Sequence, residues 1–292
     1  MIIKKALGFI TEAFFFCMPT VSRKYKRYAK RCAVSLSRST EQKRKGQEPP
    51  TMRKTVAGSV DLSDNRRMAT KKKADRRRLN AMETGSVIDR LAYERELWAE
   101  GRCAVAGVDE VGRGCLFGDV VAAAVILPTG LVLEGINDSK LLSEKKRDEL
   151  YEIIVENAIA WSVGRVDAET IDRINIRQAS RLAMKLAVEG LGSPPDHLLI
   201  DAETIELPLP QTKIIKGDML SQSIGAASIV AKVTRDRLCA DIWDVNYSGY
   251  GIKDHKGYAT KVHREALLSL GPTPLHRKTF LSKYAFEQQA LF

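Results

Sequence analysis

The stretch that most constrains this chain is Ala106-Gly107-Val108-Asp109-Glu110-Val111-Gly112-Arg113-Gly114. An apolar run from Cys103 to Val108 reads as a short buried strand ending in two adjacent carboxylates. A Gly-Arg-Gly turn follows, then a second and almost wholly apolar strand, Val120 to Leu127. Carboxylates at the end of a central strand are costly to bury unless something pairs with them. Alternation sends neighbouring strand side chains to opposite faces, so Asp109 and Glu110 are expected to share a site only where the strand stops or bulges. The glycines are expected to supply that break.

The remaining elements follow in order. Ser86 is the expected N-cap of a helix running through Glu100, and Ser143 that of a helix with Leu150, Ile153, Ile154 and Ala158 as its inner stripe. Trp161 to Val166 reads as a third strand, and one long helix is expected from about Glu169 to Glu189. Short strands at His197–Ile200 and Lys213–Ile215 each run into carboxylates, Asp201 and Asp218. Gly225 to Leu238 is rich in small residues, suited to close packing on a sheet, and a last helix spans about Thr260 to Leu270. Three early strands followed by alternating helices and strands predict a mixed α/β sheet flanked by helices, with the first three strands antiparallel.

The charge is uneven. The chain carries 47 Lys+Arg and 36 Asp+Glu, but residues 1–81 hold 22 of the basic and only 6 of the acidic groups. The remainder, 82–292, holds 25 basic and 30 acidic. The headline net charge of +11 thus belongs to the front end. Residues 19–81, with basic clusters and few large apolar side chains, are expected to be disordered. The apolar patch Ala6–Met18 is too short for a membrane span and is interrupted by Glu12. Three accounts of the leader stay open: an organelle transit peptide, a basic tail for nucleic acid, or translation starting at Met52, Met68 or Met82. Five widely spaced cysteines without a CxxC pair argue against a disulfide framework and for a reducing compartment, with the cytoplasm as the expected location. The histidines at 197, 255, 263 and 276 show no metal-ligand spacing.

Three strands thus end in acids: Asp109 with Glu110, Asp201, and Asp218. Strand ends at one edge of an α/β sheet are where sites are assembled. Clustered carboxylates repel and need a cation between them, and oxygen ligands without His or Cys select Mg²⁺ or Mn²⁺. Two such ions suit in-line phosphodiester hydrolysis. Against this stands the plain alternative that each acid only ends its element, with Asp218 as a helix cap and Asp201 in a turn. Gly112, Gly114 and Gly118 miss a dinucleotide fingerprint by one residue, and the turn instead suits close approach of a sugar-phosphate chain, with Arg113 nearby for phosphate.

The ordered motifs AGVDEVGRG, NDSKLLSEKKR, LLIDA, IIKGD, IGAASIVAKVTRD, HKGYATKVH and LGPTPLHRKTF resemble the ribonuclease HII family over about Tyr93 to Phe280. The resemblance implies an RNase H-like catalytic domain over 82–292, including a small C-terminal helical region from about residue 240. It implies an endoribonuclease that cuts the RNA strand of RNA–DNA hybrids. It also implies incision on the 5′ side of ribonucleotides embedded in duplex DNA, leaving a 5′-phosphate. Asp109, Glu110, Asp201 and Asp218 match the family's metal-binding catalytic carboxylates. Gly112, Arg113 and Gly114 match its turn against the ribose 2′-hydroxyl, and Tyr258 the tyrosine that stacks on the following deoxyribose. The implied enzyme is a soluble monomer using two Mg²⁺ or Mn²⁺ ions, with no membrane partner. Cys115, Phe117 and Asp119 depart from the commonest family form and put the turn's conformation in question. Lys140, Lys232, Arg235, Lys256 and Lys261 are candidates for phosphate contact or, equally, for surface ion pairs, and Asp236 is expected to pair with Lys232. Two other readings remain at this point: a different two-metal nuclease of the same fold, and a duplex-binding protein without turnover.

Overall fold

The computed structural model describes residues 88–136, 139 and 142–282. The basic leader, Ser86 and Lys140 lie outside them. Five strands form one sheet in the order β3-β2-β1-β4-β5: β1 (Val105–Val111), β2 (Val120–Ile126), β3 (Ala160–Val166), β4 (His197–Asp201) and β5 (Gln211–Ile214). The pairs β1–β2 and β2–β3 are antiparallel, whereas β1–β4 and β4–β5 are parallel. The expected mixed sheet with three antiparallel early strands is therefore what forms. Every residue of β2 is buried, because helices cover both faces of the sheet, and a strand covered on both sides reads as a continuous apolar run.

On one face, Ala106, Val108, Leu198 and Ile200 meet α4 (Ile176–Glu189) through Ala179, Ala183 and Ala187. On the other, Ala123 and Val125 pack with α2 (Glu144–Asn157) and α6 (Gln222–Arg237) through Leu150, Ala226, Ala227 and Val230. The small residues of α6 let it press on β1. A Cβ added at Gly107 would stand 2.0 Å from the backbone carbon of Ser223. Gly107→Ala is therefore expected to cost roughly 3 kcal/mol or more. Urea unfolding checks this, and a variant as stable as the parent would show that α6 is not pinned to β1 there.

Several boundaries differ from expectation, each for a local reason. The first described helix, α1, is Ala92–Ala99. The long helix expected over 169–189 is two, α3 (Ala168–Ile174) and α4, broken at Asn175. Asn175 takes φ +67°, and its side chain accepts from the amides of Arg177 and Gln178, both at 3.1 Å. With ψ at 161° this backbone lies outside both helical regions, so the helix cannot run through it, and the Asn175 side chain caps the next one. Ser143 caps α2 as expected, accepting from the Lys146 amide at 3.2 Å. Past α6 the chain widens into a π-helical segment, Leu238–Trp243. It is followed by short helices and α7 (Lys261–Leu270), capped by Thr260.

Candidate active site

Strand β1 does not stop at its acids. It runs through both to Val111, with Asp109 opposite Ala123 and Glu110 opposite Ala122. The glycine break comes after the pair, not between its members. The two side chains thus leave opposite faces of the strand end, Asp109 on the α6 side and Glu110 on the α4 side. On the parallel neighbour β4, Ile200 pairs with Val108, so Asp201 lies one step on, beside Asp109. Asp201 is followed by Ala202 at φ +47°, a left-handed backbone that a non-glycine residue adopts only under local constraint. The Asp201 Oδ1 accepts the Gly217 amide at 2.6 Å, which ties the end of β4 to the start of α5 (Gly217–Leu220). A Cβ at Gly217 would meet Ile224 Cδ1 at 2.6 Å and Asp201 Oδ1 at 3.2 Å, so only glycine permits this approach. Asp218 is buried in that short helix. It does not cap the next one, because Ser221 does so by accepting from the Ile224 amide at 3.2 Å.

Four carboxylates from β1, β4 and α5 therefore gather at one end of the sheet. Asp109 is only 6% exposed. Burial holds its pKa well above the usual carboxylate range, and the charges of Glu110, Asp201 and Asp218 push it further up. A hydrogen bond from Ser228 opposes the rise. The Ser228 hydroxyl in turn lies 2.9 Å from that of Ser139. Burial also raises the Glu110 pKa, against the ion pair of its Oε1 with Arg113 Nη1 at 3.0 Å. The other oxygen, Glu110 Oε2, is buried without a hydrogen-bond partner. Sequence reasoning placed Ser228 only as a packing residue and did not single out Arg90, which donates to the Asp218 carbonyl at 3.5 Å.

This donor set fits a hard divalent cation: carboxylate oxygens only, mutual repulsion on a buried acid, and an orphaned Glu110 oxygen. Among the described residues, no three acidic, His or Cys side chains close on one cation-sized point as they stand. Glu110 is turned to Arg113 and Asp201 to the Gly217 amide. Glu110 can keep Arg113 on Oε1 while its other oxygen serves a cation.

The glycine turn lies beside the acids. Gly112 has φ +91°, and a Cβ there would meet Arg235 Nε at 2.3 Å. Gly114 is different. Its Cβ would find only Tyr258 Cε1, at an ordinary 3.8 Å, so the protein's own packing does not demand a glycine there. Tyr258 is 43% exposed beside this bare backbone. Behind the turn sit two buried guanidiniums. Arg235, 1% exposed, donates to the carbonyls of Asp119, Phe117 and Lys256 at 3.0, 3.0 and 2.8 Å. Arg277 donates to those of Gly118 and Arg113 at 2.8 and 3.0 Å. Arg235 is thus a clamp on the turn, not a phosphate contact as sequence reasoning allowed.

The three unusual residues after the turn all have places. Cys115 is buried, and Asp119 pairs with Arg165 at 2.7 Å. Phe117 is enclosed by the rings of Trp243, Tyr247, His263 and His276. Among the lysines, Lys232 pairs with Asp236 at 2.7 Å as expected, Lys256 lies 3.7 Å from Glu144, and the exposed Lys261 lies 3.7 Å from Glu265.

A family model described as ribonuclease HII matches residues 106–289, which takes in all four acids, the turn and Tyr258. This chain belongs to the ribonuclease HII family. Ribonuclease HII of Alkaliphilus metalliredigens is 60% identical over 202 residues, covering 67% of this chain and 98% of that protein. That of Myxococcus xanthus is 54% identical over 192 residues, covering 65% of each. Among solved structures, ribonuclease H2 from Pyrococcus horikoshii matches with a TM-score of 0.54 at 24% identity, over 63% of this chain and 97% of that one. The RNase HII of the Archaeoglobus fulgidus PCNA:RNase HII complex matches at 0.50 and 26% identity, over 60% and 94%. Ribonuclease HII enzymes are endoribonucleases that cut the RNA of RNA–DNA hybrids, and the mixed sheet seen here is their RNase H-like fold. No described helix is long and apolar enough to cross a membrane.

Proposed function

We propose that this chain hydrolyses the RNA strand of RNA–DNA hybrids and incises 5′ to single ribonucleotides in duplex DNA. In this reading Asp109, Glu110, Asp201 and Asp218 hold two divalent cations, Mg²⁺ or Mn²⁺. The observation that carries it is the Asp109 carboxyl, buried and pressed by three neighbouring acids. When bound, the ions supply positive charge for the attacking water and the leaving oxygen of a phosphodiester. The chain's own groups do the rest. Ser228 orients Asp109, and the Gly217 amide orients Asp201. Arg113, exposed beside Glu110, is available to the substrate backbone.

The bare backbone at Gly114 supports the junction reading. A sugar can approach it closely, and a 2′-hydroxyl there distinguishes RNA from DNA. The Tyr258 ring beside it then rests on the next sugar, where a flat surface leaves no space for a hydroxyl. The described cysteines, Cys103, Cys115 and Cys239, are free thiols, in keeping with a reducing compartment such as the cytoplasm.

The test is cleavage of a DNA duplex carrying one ribonucleotide, with Mg²⁺, with Mn²⁺ and with chelator. A single incision 5′ to the ribonucleotide is expected with either ion and none with chelator. Cleavage that survives chelation, or an all-DNA duplex cut equally well, would overturn the reading.

A further inference from the structure

Three histidines lie apart from the acids but make one hydrogen-bonded network under Tyr258. His263, on α7, has its Nδ1 2.9 Å from the Tyr258 carbonyl and its Nε2 3.1 Å from His276 Nε2. His276 Nδ1 accepts the Thr273 amide at 2.9 Å. A carbonyl only accepts and an amide only donates, so each tautomer is fixed. His276 carries its proton on Nε2 and donates it to His263 Nε2, while His263 carries its own on Nδ1 and donates to Tyr258. His255 stacks on His263 with ring centres 4.4 Å apart, and the Tyr258 amide donates to the His255 carbonyl at 2.9 Å.

The other end of this chain reaches the glycine turn. His276 and Phe117 form an antiparallel bridge, and their rings meet edge to face at 4.8 Å. On either side of the bridge, the Gly118 amide donates to the Leu275 carbonyl and the Arg277 amide to that of Leu116, both at 2.8 Å. Phe117 stands three residues past Gly114. The segment before Tyr258 has its own ties, from the Leu116 amide to the Gly257 carbonyl and from Arg235 to that of Lys256, both at 2.8 Å. The Tyr258 residue itself is held through its carbonyl, by His263 and by the Thr260 amide at 2.8 Å. The backbone that carries the exposed ring is thus fixed at several points.

We propose that the His263–His276 pair is a positioning device for specificity: it sets the Tyr258 ring against the Gly112–Gly114 turn, and the preference for an embedded ribonucleotide depends on it. The inference rests on the junction reading above and extends it to residues that touch no substrate. Both imidazoles are buried and held near pKa 4, so the uncharged, one-directional chain persists at neutral pH.

The experiment uses the full chain and two substrates, a DNA duplex with one ribonucleotide and a uniform RNA–DNA hybrid. The readout is the ratio of kcat/KM between them, with circular dichroism and melting to follow the fold. His263→Leu removes the donor to Tyr258 and is expected to lower the ratio about tenfold. His263→Asn can present an amide N–H near the Nδ1 position and is expected to restore most of it. Tyr258→Ala is the reference for loss of the ring. A folded His263→Leu protein with the parental ratio, beside a Tyr258→Ala protein whose ratio falls, overturns the inference and leaves the junction reading intact. An unchanged ratio in Tyr258→Ala overturns both. Should His263→Leu not fold, His263→Gln takes its place, because its longer side chain misplaces the donor yet can still accept from His276. The same criterion then applies.

Discussion

Asp109→Asn is expected to lose cleavage by at least about a thousandfold while melting at a higher temperature than the parent in the absence of divalent ions. The loss follows because Asp109 is the acid that its three neighbours surround, and an amide is a poor ligand for Mg²⁺ or Mn²⁺. The gain has a separate cause. Burial and three like charges hold the Asp109 pKa far above its unfolded value, so near neutral pH its ionisation favours the unfolded chain. Asn carries no charge, and its oxygen can still accept from the Glu110 amide, which lies 2.8 Å from the Asp109 Oδ1. Relief of roughly 1–3 kcal/mol is the scale for removing such a buried, repelled charge. For a folded region of about 200 residues, that corresponds to several degrees. Single-turnover cleavage and scanning calorimetry in chelator check the two halves. Normal cleavage by Asp109→Asn with Mg²⁺ present would sink the metal assignment, and a lower melting temperature would sink the electrostatic one.

The second large effect expected is on acid stability. Burial holds His263 and His276 at about 4, against 6.5 in an unfolded chain. Because the folded pKa values are depressed, the stabilisation from keeping both imidazoles neutral is fully present above about pH 6.5. It is lost as pH falls from there towards 4, where the unfolded chain binds protons that the folded one does not. The geometry gives the same sign, since a second proton on His263 sets two N–H groups against each other across 3.1 Å, and one on His276 faces the Thr273 amide at 2.9 Å. Each imidazole contributes roughly 3 kcal/mol at most, and the two are coupled, so the total falls short of the sum. The melting temperature of the parent should drop steeply between pH 6.5 and 4. That of a doubly substituted His263→Asn, His276→Gln protein should drop less. Parallel pH profiles for the two proteins would show that other groups govern acid unfolding.

The acids were legible in sequence because charge after an apolar run is rare enough to stand out. Asp201 could be read the same way at the end of β4, whereas Asp218 lies past β5 in the helix that follows it. The exact limits of β1 were not legible, since the register with β2 carries the strand through Asp109 and Glu110 to Val111. The Asn175 break went unseen because the apolar period continues across it, and only backbone geometry distinguishes a capping Asn from a surface one. Arg235 was misjudged for a related reason: a basic residue in a helix looks alike whether it faces water or three carbonyls in the interior. Residues at 228, 255, 263 and 276 carry no periodic signal of their roles. Ser228 lies more than a hundred residues from its acid and meets it by tertiary contact alone, whereas His263 meets Tyr258 only because the short turn before α7 folds back onto it. The unusual Phe117 shows the converse. It looked like a disturbance of the turn, yet it fills a ring of aromatic neighbours that bind the turn to the C-terminal helices.

The grip of Arg277 on the carbonyls of Arg113 and Gly118 has a temporal side. All four acids have been synthesised by residue 218, whereas the arginine that holds the glycine turn is added almost sixty residues later. The growing chain therefore holds its whole acidic set before the arginine that fixes the turn beside it has been made.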